Sequence, residues 1–326
     1  MNKKCRTVSE SGFVLVCILW ILAALTVITL GFGRRALLDQ RAAAYALDEL
    51  QATWLARGAA VRGLVELEQR RLLEQTVGGI RGAVGAAPSS SNLFIQPDLV
   101  SENGHDIRDS FPDMFRDSFS SEKCGYVVKD EEQKICLNRV SAELLEKIEA
   151  LDEKAKSAVL ERLQEAQTCL PPAFSTLEEL LCLEGMDRKL WFGSSEAPGL
   201  SQIFTVYGDG LVNINTAQAP VLSLLPGMDP ETVEKIMTFR AGPDGKLGTD
   251  DDLFVNSLEE LAQLANLTPE TVSQIHTYCK TDSRYFKISG FATRRQNRIR
   301  AESTLTCVWG DERIGILRWE EKTGGS

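Results

Sequence analysis

The sequence predicts an α+β fold: a long N-terminal helix that crosses a membrane and continues beyond it, packed on a small antiparallel sheet, with a large and mainly helical insertion. Three observations carry this. A charge-free apolar run leads straight into a proline-free, helix-forming stretch; β-prone runs lie at two places far apart in the chain; and between them a helical pattern occurs twice.

Phe13 to Phe32 are twenty residues without a charge, enough to span roughly 30 Å of hydrocarbon as a helix. A secretory signal has a shorter apolar stretch with a small-residue cleavage site behind it. Here the processing point lies in front, at Gly12 and Phe13, which makes residues 1–12 a leader and 13–32 the membrane segment. Lys3, Lys4 and Arg6 stand before the span and Arg34, Arg35 and Arg41 after it, so flanking charge does not fix its orientation. Residues 33–77 are rich in Ala, Leu, Glu, Gln and Arg, and Leu47, Leu50, Trp54, Val61 and Val65 recur three, four and seven apart, with Gly58 between Trp54 and Val61. That spacing predicts one helical face made for packing. A helix unbroken from Phe13 to Thr76 is roughly 96 Å long and ends at Gly78-Gly79.

Beyond the helix, residues 78–123 lack periodicity and read as loops. Gly125-Tyr126-Val127-Val128 and Lys134-Ile135-Cys136-Leu137 flank a charged run, Lys129 to Gln133, and read as a hairpin. Further strands are expected at Tyr285–Ser289, Arg300–Trp309 and Ile314–Trp319, completing the sheet that the hairpin begins. Residues 78–137 and 283–326 then form one α/β unit, and 138–282 are an insertion. Inside it, Leu137-Asn138-Arg139-Val140 aligns with Ile214-Asn215-Thr216-Ala217, 77 positions on, and Ser175-Thr176-Leu177-Glu178-Glu179-Leu180 aligns with Asn256-Ser257-Leu258-Glu259-Glu260-Leu261, 81 positions on. Thr176 and Ser257 stand as helix N-caps with acids in the first turn.

A net charge of −10 over 326 residues argues against general nucleic-acid binding, which draws its affinity from Lys and Arg neutralising phosphate. The only histidines, His105 and His276, sit in no motif of nucleophilic catalysis, so the chain reads as no enzyme. Without a Cys-x-x-Cys, zinc is not expected. Cys124, Cys136, Cys169, Cys182, Cys279 and Cys307 lie beyond the membrane segment, and either disulfides, with fifteen possible connectivities, or buried thiols fit them. Asp244, Asp250, Asp251 and Asp252, spaced by Gly245 and Gly248, form a loop able to surround a hard cation with oxygen. Leu225-Pro226-Gly227-Met228, followed by Pro230 to Ile236, resembles a helix-hairpin-helix turn. The rival function it brings is a membrane-tethered DNA-binding or uptake protein, although Glu231 and Glu234 at the helix start repel phosphate. Arg294, Arg295, Arg298 and Arg300 read as a solvated hairpin tip.

Gly12-Phe13 behind a basic leader, together with one helix running from membrane to globular region, resembles type IV pilins and pseudopilins. Val212-Asn213-Ile214-Asn215-Thr216-Ala217, Leu225 to Pro230, Phe239 to Asp252 and the paired Leu-Glu-Glu-Leu blocks narrow the resemblance to K-type minor pseudopilins of type II secretion systems. That family has a pilin-like fold. The resemblance implies cleavage after Gly12 by the prepilin peptidase and methylation of Phe13. It implies an inner-membrane anchor with the globular part in the periplasm, and structural calcium in the acidic loop. The implied partners are the I- and J-type minor pseudopilins and the major pseudopilin, with a role in starting and capping the pseudopilus during protein export. Most relatives carry glutamate at the fifth mature position, where it meets the terminal amine of the preceding subunit. Cys17 stands there, as suits a subunit that enters the filament first.

Overall fold

The computed structural model describes residues 11–77 and 123–325, apart from 149–150, 168–171, 194–197, 248–251, 256, 265–266, 295–297 and 311–312. Residues 1–10 of the expected leader, the expected loops of 78–122, Cys169, Arg295, Asp250 and Asp251 lie outside the described residues. Helix α1, Ser11–Val77, is one unbroken helix of 67 residues, about 100 Å long. Its first part is exposed all round between Phe13 and Phe32, with only Cys17 half-buried. Thr26 and Thr29 satisfy their hydroxyls inside the helix by donating to Ala23 O at 2.7 Å and Leu25 O at 2.9 Å, so this stretch offers apolar surface and closed backbone bonds, as a hydrocarbon environment requires.

Four strands form an antiparallel sheet in the order β1 (Lys123–Asp130), β6 (Tyr285–Arg294), β7 (Ile299–Trp309), β8 (Ile314–Gly325). The expected hairpin does not form. All of β1 pairs with β6, from Lys123 opposite Thr293 to Asp130 opposite Phe286. Ile135–Cys136 (β2) instead pairs in parallel with Phe204–Thr205 (β3). A lone two-stranded ribbon is marginal in water, whereas β1 beside β6 gains the cover of α1. Lys129 stays exposed, but Asp130 to Gln133, meant for the turn, are buried and become the crossing from the sheet into the following region.

On β6, Phe286, Ile288, Gly290 and Ala292 alternate toward α1, and on β7 Ile299, Ala301, Ser303, Leu305 and Cys307 do the same. The helix meets them with Ala52, Ala56, Ala59, Ala60, Gly63 and Leu67. Small residues on both sides let the backbones approach closely. A Cβ on Gly290 would stand 3.0 Å from Ala60 Cα and nearer still to Ala56 O and Ala60 N. On Gly63 it would meet Tyr126 Cδ2 at 2.7 Å and Ile288 Cγ2 at 2.8 Å. Tyr126 also donates its hydroxyl to Glu66 on the helix.

Between β1 and β6 the chain builds a second core, running from Ile135 to Cys279 and including Phe174, Phe204, Leu145 and Leu222. Here the internal repeat is visible in individual hydrogen bonds. Asn138 donates to Phe174 O at 3.0 Å and Val206 O at 2.9 Å, and accepts from Phe174 N at 2.9 Å. Asn215 donates to Val255 O and Thr281 O, both at 2.9 Å, and accepts from Val255 N at 3.1 Å. Each asparagine therefore ties the start of its unit to the residue two before the N-cap and to the residue just after the closing strand. The parallel pairs β2–β3 and β4–β5 (Val212–Asn213 with Cys279–Lys280) occupy matching places. The caps differ: Ser257 Oγ accepts from Glu260 N at 3.2 Å, whereas in the first unit Glu179 reaches back to Thr176 N at 3.0 Å and the element is a 3-10 helix, Leu177–Cys182.

Among the described residues, Cys17, Cys136, Cys182, Cys279 and Cys307 stand as free thiols. Burial pushes the Cys136 thiol up to about 11 and those of Cys279 and Cys307 to about 12, which keeps them protonated and unreactive at neutral pH.

Candidate assembly surface

The residues expected to pack α1 against other molecules all lie on its open side. Leu47 and Trp54 are each 58% exposed, Leu50 is 54% exposed, and Val61 and Val65 remain exposed about two and three turns beyond Trp54. The opposite side of the same turns is the alanine face seated on the sheet. One helix thus carries two apolar faces, one covered and one open. The open face lies on the same helix as the apolar segment Phe13–Phe32, beyond the charged stretch that holds Arg34, Arg35, Asp39 and Arg41.

Strand β8 extends this surface. Leu305 and Cys307 face α1, and their partners on β8 are Trp319 and Ile316. The pairing shifts between Thr306 and Cys307, leaving Leu317 as the extra residue of a bulge. Ile316, Leu317 and Trp319 are exposed. Arg57 joins the two walls: its guanidinium lies 5.0 Å from the Trp54 ring and 5.3 Å from the Trp319 ring, and it donates to Glu321 at 2.8 Å. Stacked and paired in this way, Arg57 holds both tryptophans at the surface.

The processing residues Gly12 and Phe13 fall in the first turn of α1, with Phe13 75% exposed. The acidic loop begins after the helix Pro230–Arg240. Gly242 and Gly245 take φ of +60° and +69°, and Leu253 N donates to Arg240 O at 3.0 Å, closing the base of the loop. Asp244 accepts from Lys246 N at 2.7 Å. Arg240 is buried, donates to Ala217 O and faces Asp252. Burial brings its guanidinium down to about 10 while the Asp252 carboxylate works the other way. Asp252, offered by the sequence as a ligand, thus acts electrostatically on a buried arginine, and among the described residues no group of three or more His, Cys, Asp or Glu is gathered about one point.

Gly227 has φ of +81° at the hairpin-like turn, and a Cβ there would press on Gln274. One amide at the helix start is already taken: Asp229 accepts from Thr232 N at 2.7 Å, a bond that holds its carboxyl below the usual range. Glu231 and Lys235 pair beside it at 2.8 Å. The turn packs helices. At the far end of the β6–β7 hairpin, Arg294 pairs with Asp48 at 3.7 Å, while Arg298 and Arg300 are exposed.

One polar cluster escaped sequence reasoning. Asp130, Glu131, Glu132 and Gln133 are buried, although a run of acids ordinarily marks a solvated turn. Their partners come from segments far along the chain, so nothing local signals the burial; the asparagines and threonine of Val212 to Ala217 are the only trace.

No family model and no curated protein matches the chain. Among solved structures, it is similar to a chain of the GspK-GspI-GspJ complex from the enterotoxigenic Escherichia coli type 2 secretion system. The identity is 15% and the TM-score 0.41, over 66% of this chain and 82% of that one.

Proposed function

We propose that the chain is a minor pseudopilin of the K type, a single-pass inner-membrane protein that starts and caps the pseudopilus of a type II secretion system. It acts by assembly and not by catalysis. The observation that carries the reading is α1: a helix apolar all round over Phe13–Phe32, then seated on a sheet by one face while Leu47, Leu50, Trp54, Val61 and Val65 stay open on another. Exposed apolar residues in such a row mark an interaction site, and a row on the same unbroken helix as a membrane segment suits partners that rise from the same membrane. Those partners are the I- and J-type minor pseudopilins and, below them, the major pseudopilin. The bulk between β1 and β6 prevents another subunit from stacking on top, so the filament ends here.

In this reading the acidic loop holds calcium as a structural ion. Its donors are carboxylate and backbone oxygens, the hard ligands calcium takes, and the Arg240–Leu253 bond brings the two ends of the loop together. The ion would rest on Asp244, Asp250, Asp251 and Asp252, and would lock the loop against the helix before it. Processing gives the direct test of the pilin reading. N-terminal peptide mass analysis of protein from its own cells should find methylated Phe13; residue 1 retained, or cleavage beyond Phe32, would overturn it.

A further inference from the structure

The chain leaves the sheet at the end of β1 and returns at the start of β6, and both crossings converge on Asp130. This residue is 7% exposed. Its Oδ2 accepts from Asn213 Nδ2 at 3.1 Å, Thr216 Oγ1 at 2.5 Å and Ser283 Oγ at 2.6 Å, and its Oδ1 accepts from Glu132 N at 2.8 Å. Asn213 and Thr216 belong to the second repeat unit, and Ser283 stands two residues before β6. One carboxylate therefore clasps the exit strand, the return strand and the core between them.

The surroundings decide how the clasp behaves. All four donors to Asp130 are neutral. Lys280, the cation beside this cluster, is committed to Glu132 and Asp209, each at 2.7 Å. Arg284 offers Glu132 only its backbone N, at 2.7 Å. Glu131 is engaged by Thr205 at 2.5 Å, and Lys134 donates to Ser201 O at 2.8 Å. The Glu132 carboxylate opposes the charge on Asp130. An anion held by neutral dipoles in a buried site, without a counter-ion of its own, is stabilised less than in water, even though its hydrogen bonds are good.

We propose that Asp130 is a proton-operated clasp on the joint between the sheet and the region inserted between β1 and β6, tight when the carboxyl is protonated and looser when it is ionised. Burial outweighs the four hydrogen bonds and moves the carboxyl from its ordinary 3.8 up to about 6. The sign follows: a raised acid favours the closed joint fully below 3.8, and that contribution is lost as the pH rises through about 6. If opening returns Asp130 to water, the opening constant grows about tenfold between about pH 5 and about pH 7.5. The proposal is independent of any role in secretion.

Hydrogen exchange on the full chain in nanodiscs, corrected for intrinsic rates, measures it at Asn213–Thr216 and at Thr281–Arg284. Protection near pH 5 should exceed that near pH 7.5 by about tenfold, and Asp130→Asn should remove the difference. Ser283→Ala, which takes away one donor to the anion and is the milder change, should move the midpoint to higher pH. A wild-type joint indifferent to pH would overturn the proposal. So would an undiminished difference in Asp130→Asn, or, if that variant does not fold, an unmoved midpoint in Ser283→Ala.

Discussion

Replacing Gly290 by alanine tests how the long helix is seated. The added methyl meets backbone, with Ala60 Cα at 3.0 Å and Ala56 O and Ala60 N nearer still, so no side-chain rotation relieves it and α1 must lift from β6. Overpacking a filled site costs about 1–3 kcal/mol, and a rigid backbone neighbour puts Gly290→Ala at the upper end, about 3 kcal/mol. For a chain of this size that lowers the melting temperature by about 6–12 °C. Gly63→Ala makes the smaller change: its clashes at 2.7 and 2.8 Å are with the Tyr126 and Ile288 side chains, which can shift, and alanine restores up to about 1 kcal/mol of helix propensity. Gly324→Ala meets nothing within 4 Å and is the control. Thermal melts of a soluble form beginning at Ala36, followed by circular dichroism, should rank Gly290→Ala far below Gly63→Ala and leave Gly324→Ala at the parent value. Gly290→Ala as stable as the parent, or less damaging than Gly63→Ala, would refute the seating described.

The paired asparagines allow a matched comparison. Asn138→Ala and Asn215→Ala each strand one backbone N–H and two carbonyls, and each should cost about 3 kcal/mol or more by denaturant melting; one variant near neutral would mean that the two units are not equivalent. Calcium should raise the melting temperature of the same soluble form relative to chelator, through RT ln(1 + [Ca]/Kd). The increment should vanish in Asp250→Ala plus Asp251→Ala, and an increment that survives both substitutions would remove the loop from the account.

The α+β class was legible because it rests on long signals: twenty charge-free residues, a proline-free continuation and strand runs at the C-terminal end. The strands Tyr285–Arg294, Ile299–Trp309 and Ile314–Gly325 extend the expected ones. The pairing of β1 was not legible, because its true partner lies more than 150 residues away and the local alternative, Ile135–Cys136, is equally β-prone. The repeat was visible as text, yet the sequence did not reveal that Asn138 and Asn215 do the same work. Leu47, Leu50, Trp54, Val61 and Val65 could be placed on one face from spacing alone. Their alignment with Trp319 across Arg57 could not, since nothing in the sequence brings β8 beside α1. The Asp130 cluster failed as an expectation because burial of acids depends on donors such as Ser283 that only the fold delivers.

We propose that the open face of α1 serves assembly with sister subunits. Size-exclusion chromatography with light scattering, on the soluble domain mixed with the I- and J-type soluble domains, tests it directly, with a DNA gel-shift at low salt run alongside. A discrete complex with about one copy of each subunit, weakened by Trp54→Ala without loss of fold, and no shift of DNA, is the result expected. No complex, together with a DNA shift that disappears when the turn around Gly227 is altered, would contradict the account and favour a membrane-tethered DNA receptor.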